Sequence, residues 1–432
     1  MNFLITNKNT ERIRQARIIQ TRRPYPLFLK GFLGVKNVFL PADILLPKCD
    51  LQKWSVIACD QYTSEPDYWR KAGEIAGKSP SALNIILPEV CLKPDNTQKI
   101  KEINRNMKLF TENGLFTEYK NTYIFTRRTL KNGSVRRGIV GLIDLEDYSF
   151  LPGERALTRA TEKTVPERIP PRVEIRKDAT LEMPHIMLLI DDKDKTVIEP
   201  LDKKNEEIPP VYDFDLMMES GHLTGKPITG ELAKSINAAL ETLAEKNGGM
   251  LFAVGDGNHS LAAAKECYER NKTEKTRYAL AEIVNIHDDS LEFEPIYRVL
   301  FGADPEKVIS DFTNFCKGEY SGSDAQCFTC VYGDKTKVIK VRPASVLCVG
   351  TLQSFVNEYL KNNTEIKVDY IHGEESVRLL AKNENTVGFL FEGMKKEELF
   401  PAVLKDGSLP RKTFSMGAAD DKRFYLECRS LV

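Results

Sequence analysis

What the sequence lacks narrows its class first. Its 62 basic and 62 acidic residues cancel, so net charge gives no case for nucleic acid or an anionic membrane as partner. No apolar run reaches about 18 residues, so no transmembrane helix is expected. The nine cysteines are odd in number and scattered, and no secretory pattern precedes them. Reduced thiols in a cytoplasmic protein are the expectation. Cys327-Phe-Thr-Cys330 has C-x-x-C spacing, but no second pair completes a zinc site, and Gln326–Tyr332 alternates like a strand. G-x-x-x-x-G-K-[ST], G-x-G-x-x-G, G-x-S-x-G and H-E-x-x-H are all absent. The remainder, 41% hydrophobic and 29% charged over 432 residues, is an ordinary globular composition with length for two or three domains.

Charge is uneven along the chain. Residues 1–34 carry Lys8, Arg12, Arg14, Arg17, Arg22, Arg23 and Lys30 against Glu11 alone. Such an arm suits targeting or nucleic-acid contact. A translated leader is the plainer expectation. Lys30-Gly31 would be encoded by AARGGN, which resembles a ribosome-binding site, and Val35 by a GTG start codon. The native start is then near Val35, and a tryptic peptide from within residues 1–30 of the natural protein would refute it.

Beyond Val35, apolar spacing switches repeatedly between the strand and helix periods. Ile100, Ile103, Met107 and Phe110 mark a helix. Tyr123–Arg128 and Arg136–Ile143 flank Asn132-Gly133, a hairpin signal. Strands are expected at Ile186–Ile190, Met250–Val254, Tyr278–Ile286, Gln326–Tyr332, Ile366–Tyr370 and Val387–Phe391. Helices are expected near residues 232–243, 261–270, 305–315, 352–360 and 373–381. The alternation predicts an α/β to α+β fold with mixed sheets and helices. Four regions follow: the arm 1–34, an α/β region 35–150, a core 151–302 and a C-terminal α/β region 303–432. Residues 151–184 stand apart, with Pro152, Pro166, Pro170, Pro171 and Pro184 among five arginines. Proline blocks regular structure there, so a long charged loop or a linker is expected.

The chemistry concentrates in Gly255-Asp-Gly-Asn-His-Ser260, between the strand at Met250–Val254 and an alanine-rich helix. A helix start offers unpaired N–H groups and a partial positive charge, an anion site. Gly255 and Gly257 allow a sharp turn and close ligand approach. Asn258 or Ser260 suits a helix cap. Asp256 beside a phosphate would hold a metal or take a proton, and His259 suits phosphate contact or acid–base work. His185, His222 and His372 read as structural.

Asp256-Gly257-x-His259 before an alanine-rich helix resembles the D-G-x-H-R segment of the ParB-like superfamily. That group includes ParB nucleotide-binding domains and an archaeal ADP-dependent free serine kinase. The nearer resemblance is to a prokaryotic family termed domain of unknown function 1015, whose signature is Ala-Asp-Gly-His-His-Arg. Thr161-Glu162-Lys163-Thr164 is similar to its upstream H-E-x-T motif. Glu294–Arg298 and Leu409–Phe414 are similar to two later segments, so the resemblance runs from about residue 35 to the end. Asn258 and Ser260 depart from it, and Ser260 stands where the pattern has a phosphate-reaching Arg.

The resemblance implies a ParB-like nucleotide-binding core within residues 151–302. It implies a phosphotransferase or nucleotide hydrolase acting on a small hydroxyl-bearing metabolite, serine kinase-like. In that reading Glu162 is the base, with Asp256 and His259 also catalytic and Asp256 holding Mg²⁺. Gly255, Gly257, Asn258, Ser260, Thr164, Arg172, Arg176 and Arg298 would bind phosphate or nucleotide: ADP, ATP or CTP. The alternative is a ParB-like switch or scaffold that binds nucleotide or phosphate without turnover. Nucleic acid is the least favoured partner.

Overall fold

The computed structural model describes residues 38–151, 154–162, 164, 169–183 and 185–432. The basic arm, Pro152, Lys163, Pro166, Arg168 and Pro184 lie outside the described residues. The fold is mixed α/β with two large sheets.

The first sheet has ten strands. Its members are β1 (Ala42–Pro47), β2 (Phe116–Thr129), β3 (Val135–Asp144), β4 (Tyr148–Ser149) and β5 (Thr158–Ala160). A short β6 (Leu181–Glu182) pairs elsewhere. Then come β7 (Met187–Ile190), β8 (Tyr212–Asp215), β9 (His222–Ile228), β10 (Phe252–Asp256) and β11 (Tyr278–Asn285). Their spatial order is β4-β5-β10-β7-β11-β3-β2-β9-β8, with β1 on the first half of β2. β4, β5 and β10 run parallel, as do β7 and β11; the other pairings are antiparallel. The β2–β3 hairpin closes as its sequence predicts. Gly133 N–H bonds Leu130 C=O at 2.9 Å, and Gly133 then takes the left-handed conformation, φ +83°.

The second sheet has six strands. They are β12 (Phe293–Phe301), β13 (Gln326–Tyr332), β14 (Lys335–Val341), β15 (Lys367–His372), β16 (Thr386–Phe391) and β17 (Phe414–Met416). They lie in the order β14-β13-β16-β12-β15, with β17 on the start of β12. The last strand, β18 (Arg429–Ser430), is the partner of β6.

The main helices are α1 (Pro66–Ala76), α2 (Thr97–Glu112), α3 (Ile169–Arg176), α4 (Gly230–Lys246) and α5 (Asn258–Arg270). α6 (Pro305–Phe315), α7 (Cys348–Asn362), α8 (Glu374–Leu380) and α9 (Leu399–Asp406) follow. α3 corrects the expectation of an irregular 151–184 segment. Pro170 and Pro171 sit in its first turn, where the missing N–H is not needed and the fixed φ suits a helix.

One apolar cluster joins the sheets. Met187, Leu189 and Ala253 of the first pack with Phe328 and Phe389 of the second around Phe312 of α6. The Phe312 ring lies 5.0 to 5.7 Å from Phe328, Phe355 and Phe389. A second cluster gathers Trp54, Trp69, Ile103 and Met107 with Phe424, Tyr425 and Leu426. The chain's last segment thus returns across its first strands. Tyr425 N–H bonds Val56 C=O at 2.8 Å, and Cys428 N–H bonds Leu45 C=O at 3.0 Å. That return places residues 409–425 beside the glycine turn.

Candidate functional site

β5 and β10 pair in parallel, with Ala160 opposite Val254. Two residues on stand Glu162, just past β5, and Asp256, the last residue of β10. Thr161 Oγ1 locks this register with a 2.6 Å bond to Val254 C=O. Ligands in open α/β sheets bind beyond the carboxyl ends of parallel strands, and both carboxylates stand there.

The turn into α5 is tight for a visible reason. Gly257 is left-handed, φ +82°, and a Cβ on it would sit 3.0 Å from the Ile186 Cα. A Cβ on Gly255 would sit 2.9 Å from Leu189 Cγ and Met416 Cε. Gly257, not Asn258 or Ser260, occupies the N-cap, and no side chain caps the helix. The side-chain cap expected from sequence is therefore replaced by a glycine, because the left-handed turn comes one residue earlier. α5 presents its first N–H groups with its partial positive end.

Asp256 Oδ1 accepts from Gly257 N–H at 2.9 Å. Its Oδ2 is buried without a hydrogen bond, and Lys422 Nζ lies 3.7 Å away. Asn258 Oδ1 and Thr164 Oγ1 are likewise buried without a hydrogen-bond partner. Glu162 Oε1 accepts from Lys412 N–H at 3.2 Å. Burial pushes its carboxyl above the ordinary range. That bond and the charge of Arg411 oppose the rise, while Asp256 adds to it. A carboxylate inclined to hold a proton thus neighbours one with a single oxygen lacking a donor. His259 is half-buried in the first turn of α5.

The other expected residues divide. Arg298 is fully buried. It bonds Gln353 Oε1 at 3.0 Å, Lys412 C=O at 2.9 Å and Arg411 C=O at 3.0 Å, and also Ile296 C=O. It braces the 411–412 turn that holds Glu162, and the Glu162 charge also acts on it directly. Arg176 is paired with buried Glu182, which Arg429 also engages, and Arg172 with Glu89. Ser260, Arg172 and Arg176 line an adjoining, mostly apolar cavity instead of the Glu162 side.

Sequence reasoning missed several groups. Lys422 and Arg411 supply the positive charge that Ser260 does not. His185, read as structural, lies against Tyr425, Nδ1 to Oη 2.7 Å, with Nε2 3.6 Å from Asp60 Oδ2. Burial lowers its pKa, but Asp60 and then Asp256 outweigh that and raise it. The one sequence signal among these groups was the Leu409–Phe414 segment, which holds Arg411. Among the described residues no group of three or more His, Cys, Asp and Glu side chains could hold a metal ion. No helix of the described residues is long and apolar enough to cross a membrane.

The profile of the family described as "Protein of unknown function (DUF1015)" matches residues 41–401. No curated protein matches. Similar solved structures include a free serine kinase mutant in complex with ADP. It is 11% identical over 69% of this chain and 93% of that one, at a TM-score of 0.37. A conserved hypothetical protein from Pyrococcus furiosus is 12% identical over 67% and 94%, at 0.34. SbnI with C-terminal truncation, from Staphylococcus aureus, is 10% identical over 65% and 83%, at 0.34.

Proposed function

We propose, for a chain that belongs to the DUF1015 family of proteins of unknown function, that its glycine turn binds the phosphates of a nucleotide and that Glu162 directs their transfer to a hydroxyl group. One observation carries this. Two carboxylates emerge from adjacent parallel strands at an uncapped helix start, one with an oxygen lacking any hydrogen bond, and with Lys422 and Arg411 beside them. Phosphoryl transfer asks for those parts: charge neutralisation, alignment and a base for the nucleophile.

The N–H groups opening α5 cradle phosphate, and Gly257 lets it approach. Lys422, and Arg411 across from it, offset its charge. Glu162 accepts the proton of an acceptor hydroxyl as that oxygen bonds phosphorus and the nucleoside product leaves with its electron pair. Water in place of that hydroxyl gives hydrolysis. Asp256 Oδ2 fits Mg²⁺, which takes one or two carboxylates plus phosphate oxygens and waters. Mg²⁺ would supply further charge neutralisation there. The acceptor is a small metabolite of the serine kind, the core is ParB-like, and the setting is cytoplasmic. ADP, ATP and CTP are the nucleotides to try. A second reading, a nucleotide-binding switch or scaffold without turnover, draws on Ser260, which leaves the first turn of α5 without an arginine.

A thermal-shift panel of ADP, ATP, CTP, GTP and pyrophosphate, with and without Mg²⁺, tests the reading. A ligand at ~100 times its Kd should stabilise by about 2.7 kcal/mol. The shift is expected in the wild type and lost in Asp256→Ala. Glu162→Gln should keep the shift and lower turnover by about a hundredfold or more. Binding without turnover in the wild type favours the switch; no shift with any ligand ends both readings.

A further inference from the structure

The second sheet carries a cavity that the site above does not use. It lies where β13 begins and β16 ends, with a volume of about 730 Å³. The start of α7 lines it, from Val346 to Val349. The N-cap residue of α7 is Leu347, and no side chain caps the helix. Asp406 closes the chain one residue earlier, accepting from Ser345 Oγ at 2.8 Å and from Val346 N–H at 3.3 Å. Fifteen residues of helix direct their positive end at the cavity.

A second observation is independent of the helix. Gln326 opens β13 and is only 8% exposed. Its Nε2 donates to Ser345 C=O at 3.0 Å and Val346 C=O at 3.2 Å. Those bonds fix the amide's sense, since the reverse would set oxygen against two carbonyls. Its Oε1 is left buried with no hydrogen bond, on a residue that lines the cavity. A buried acceptor in that state asks for a donor.

The charges of the lining agree. Asp324, Glu374, Glu392 and Glu398 stand against Arg378 and Lys405, and Arg378 is held by Glu374 at 2.6 Å. Burial, then Glu392 and Glu398, push the Cys348 thiol up to about 11, so it stays neutral at the helix start. The cavity thus offers N–H groups to an anion and, close by, an unsatisfied acceptor and carboxylates to a cation. Leu390, Phe391 and Met394 add an apolar wall.

We propose that this cavity binds a free α-amino acid with an apolar side chain. The carboxylate takes the N–H groups opening α7. The ammonium takes Gln326 Oε1 and the acidic rim, and the side chain lies on the Leu390–Phe391 wall. The site is separate from the glycine turn and does not rest on the phosphotransfer reading.

Calorimetric titration of the full chain with leucine and phenylalanine tests it. One of the two should bind, with N-acetyl-leucine and isopentylamine weaker by about tenfold or more, since each lacks one charged group. Cys348→Asp puts a carboxylate of the chain's own in the first turn of α7. It should leave the melting temperature unchanged or higher while weakening binding by about tenfold or more. Gln326→Leu should weaken binding too, and Glu162→Gln should leave it unchanged. No binding of either amino acid at millimolar concentration overturns the proposal. So does isopentylamine or N-acetyl-leucine binding as well as leucine, or full affinity in a folded Cys348→Asp chain.

Discussion

Glu282 and Glu162 belong to the same sheet region and have opposite surroundings. Glu282 lies within β11, buried and fully paired. It accepts from Thr126 Oγ1 and Arg423 Nε, both at 2.8 Å. Arg423 continues to Glu427 at 2.7 Å, and Tyr212 donates to Glu427 at 2.5 Å. Burial alone would raise the Glu282 carboxyl, yet Arg423 and then Arg136 hold it below its usual range. Even its space is arranged: a Cβ on Gly138 would fall 2.3 Å from Glu282 Oε1. Glu162 has one backbone N–H and a raised carboxyl, beside an Asp256 oxygen with no hydrogen bond. A carboxylate with all its partners inside the protein builds the fold. One whose partners are incomplete is arranged for something that arrives.

The strongest way to break this comparison is to remove each carboxylate in turn. Glu282→Ala removes from the core the counter-charge that Arg423 and Arg136 share and leaves Arg423 with Glu427. A broken buried ion pair costs about 3–5 kcal/mol. Asp256→Ala forfeits one bond to Gly257 N–H and should cost about 1 kcal/mol or less. Urea denaturation at equal slope measures both. Comparable losses would mean that the glycine turn is as structural as the Glu282 network.

The second effect is smaller and has opposite signs at the two positions. Glu282 has a depressed folded pKa, so its contribution is present above the ordinary value of about 4.5 and is lost as pH falls through the folded value. Glu162 has a raised one, so its contribution is complete below that value and is lost as pH rises through the folded value. At neutral pH an ionised Glu162 therefore detracts from stability. Glu162→Gln keeps an acceptor for Lys412 N–H, and it should raise the melting temperature at pH 7 and leave it unchanged at pH 4. A lower melting temperature at pH 7 would place Glu162 with Glu282. If Glu162 is the base, kcat/KM should fall toward acid with a midpoint above the ordinary carboxylate range.

The parts legible in sequence were the local ones. The strand, the two glycines and the alanine-rich helix announced the turn, and Asn132-Gly133 announced the hairpin. The grouping of Glu162 with Asp256 was legible only through the family resemblance, because parallel strands meet through a long crossover that leaves no spacing to read. Lys422, Tyr425 and Asp60 escaped notice for the same reason: the chain's last segment carries them or their partners back across its first strands. Arg298 shows a different limit. Its charge suggested a phosphate, and only burial reveals that its N–H groups go to the 411–412 turn. α3 was hidden by its own prolines, which break a helix in its middle and tolerate one at its start.

The smallest effect gives the sharpest contrast. Gly133 and Gly257 have nearly the same backbone, φ +83° and +82°. Around a Cβ on Gly133 nothing lies within 4 Å, whereas one on Gly257 meets the Ile186 Cα at 3.0 Å. Gly133→Ala therefore measures left-handed strain alone, about 1–2 kcal/mol. Gly257→Ala adds a contact with the backbone entering β7, which a shift at the start of α5 would relieve. The excess should be under about 1 kcal/mol, since a few tenths of an ångström relieve it. That same shift turns the first N–H groups of α5 away from the position they share with Asp256. Nucleotide-induced stabilisation should then shrink in Gly257→Ala and persist in Gly133→Ala. If the two alanines cost alike and nucleotide stabilises both alike, the approach of Ile186 serves packing, and the turn loses its claim to be shaped for phosphate.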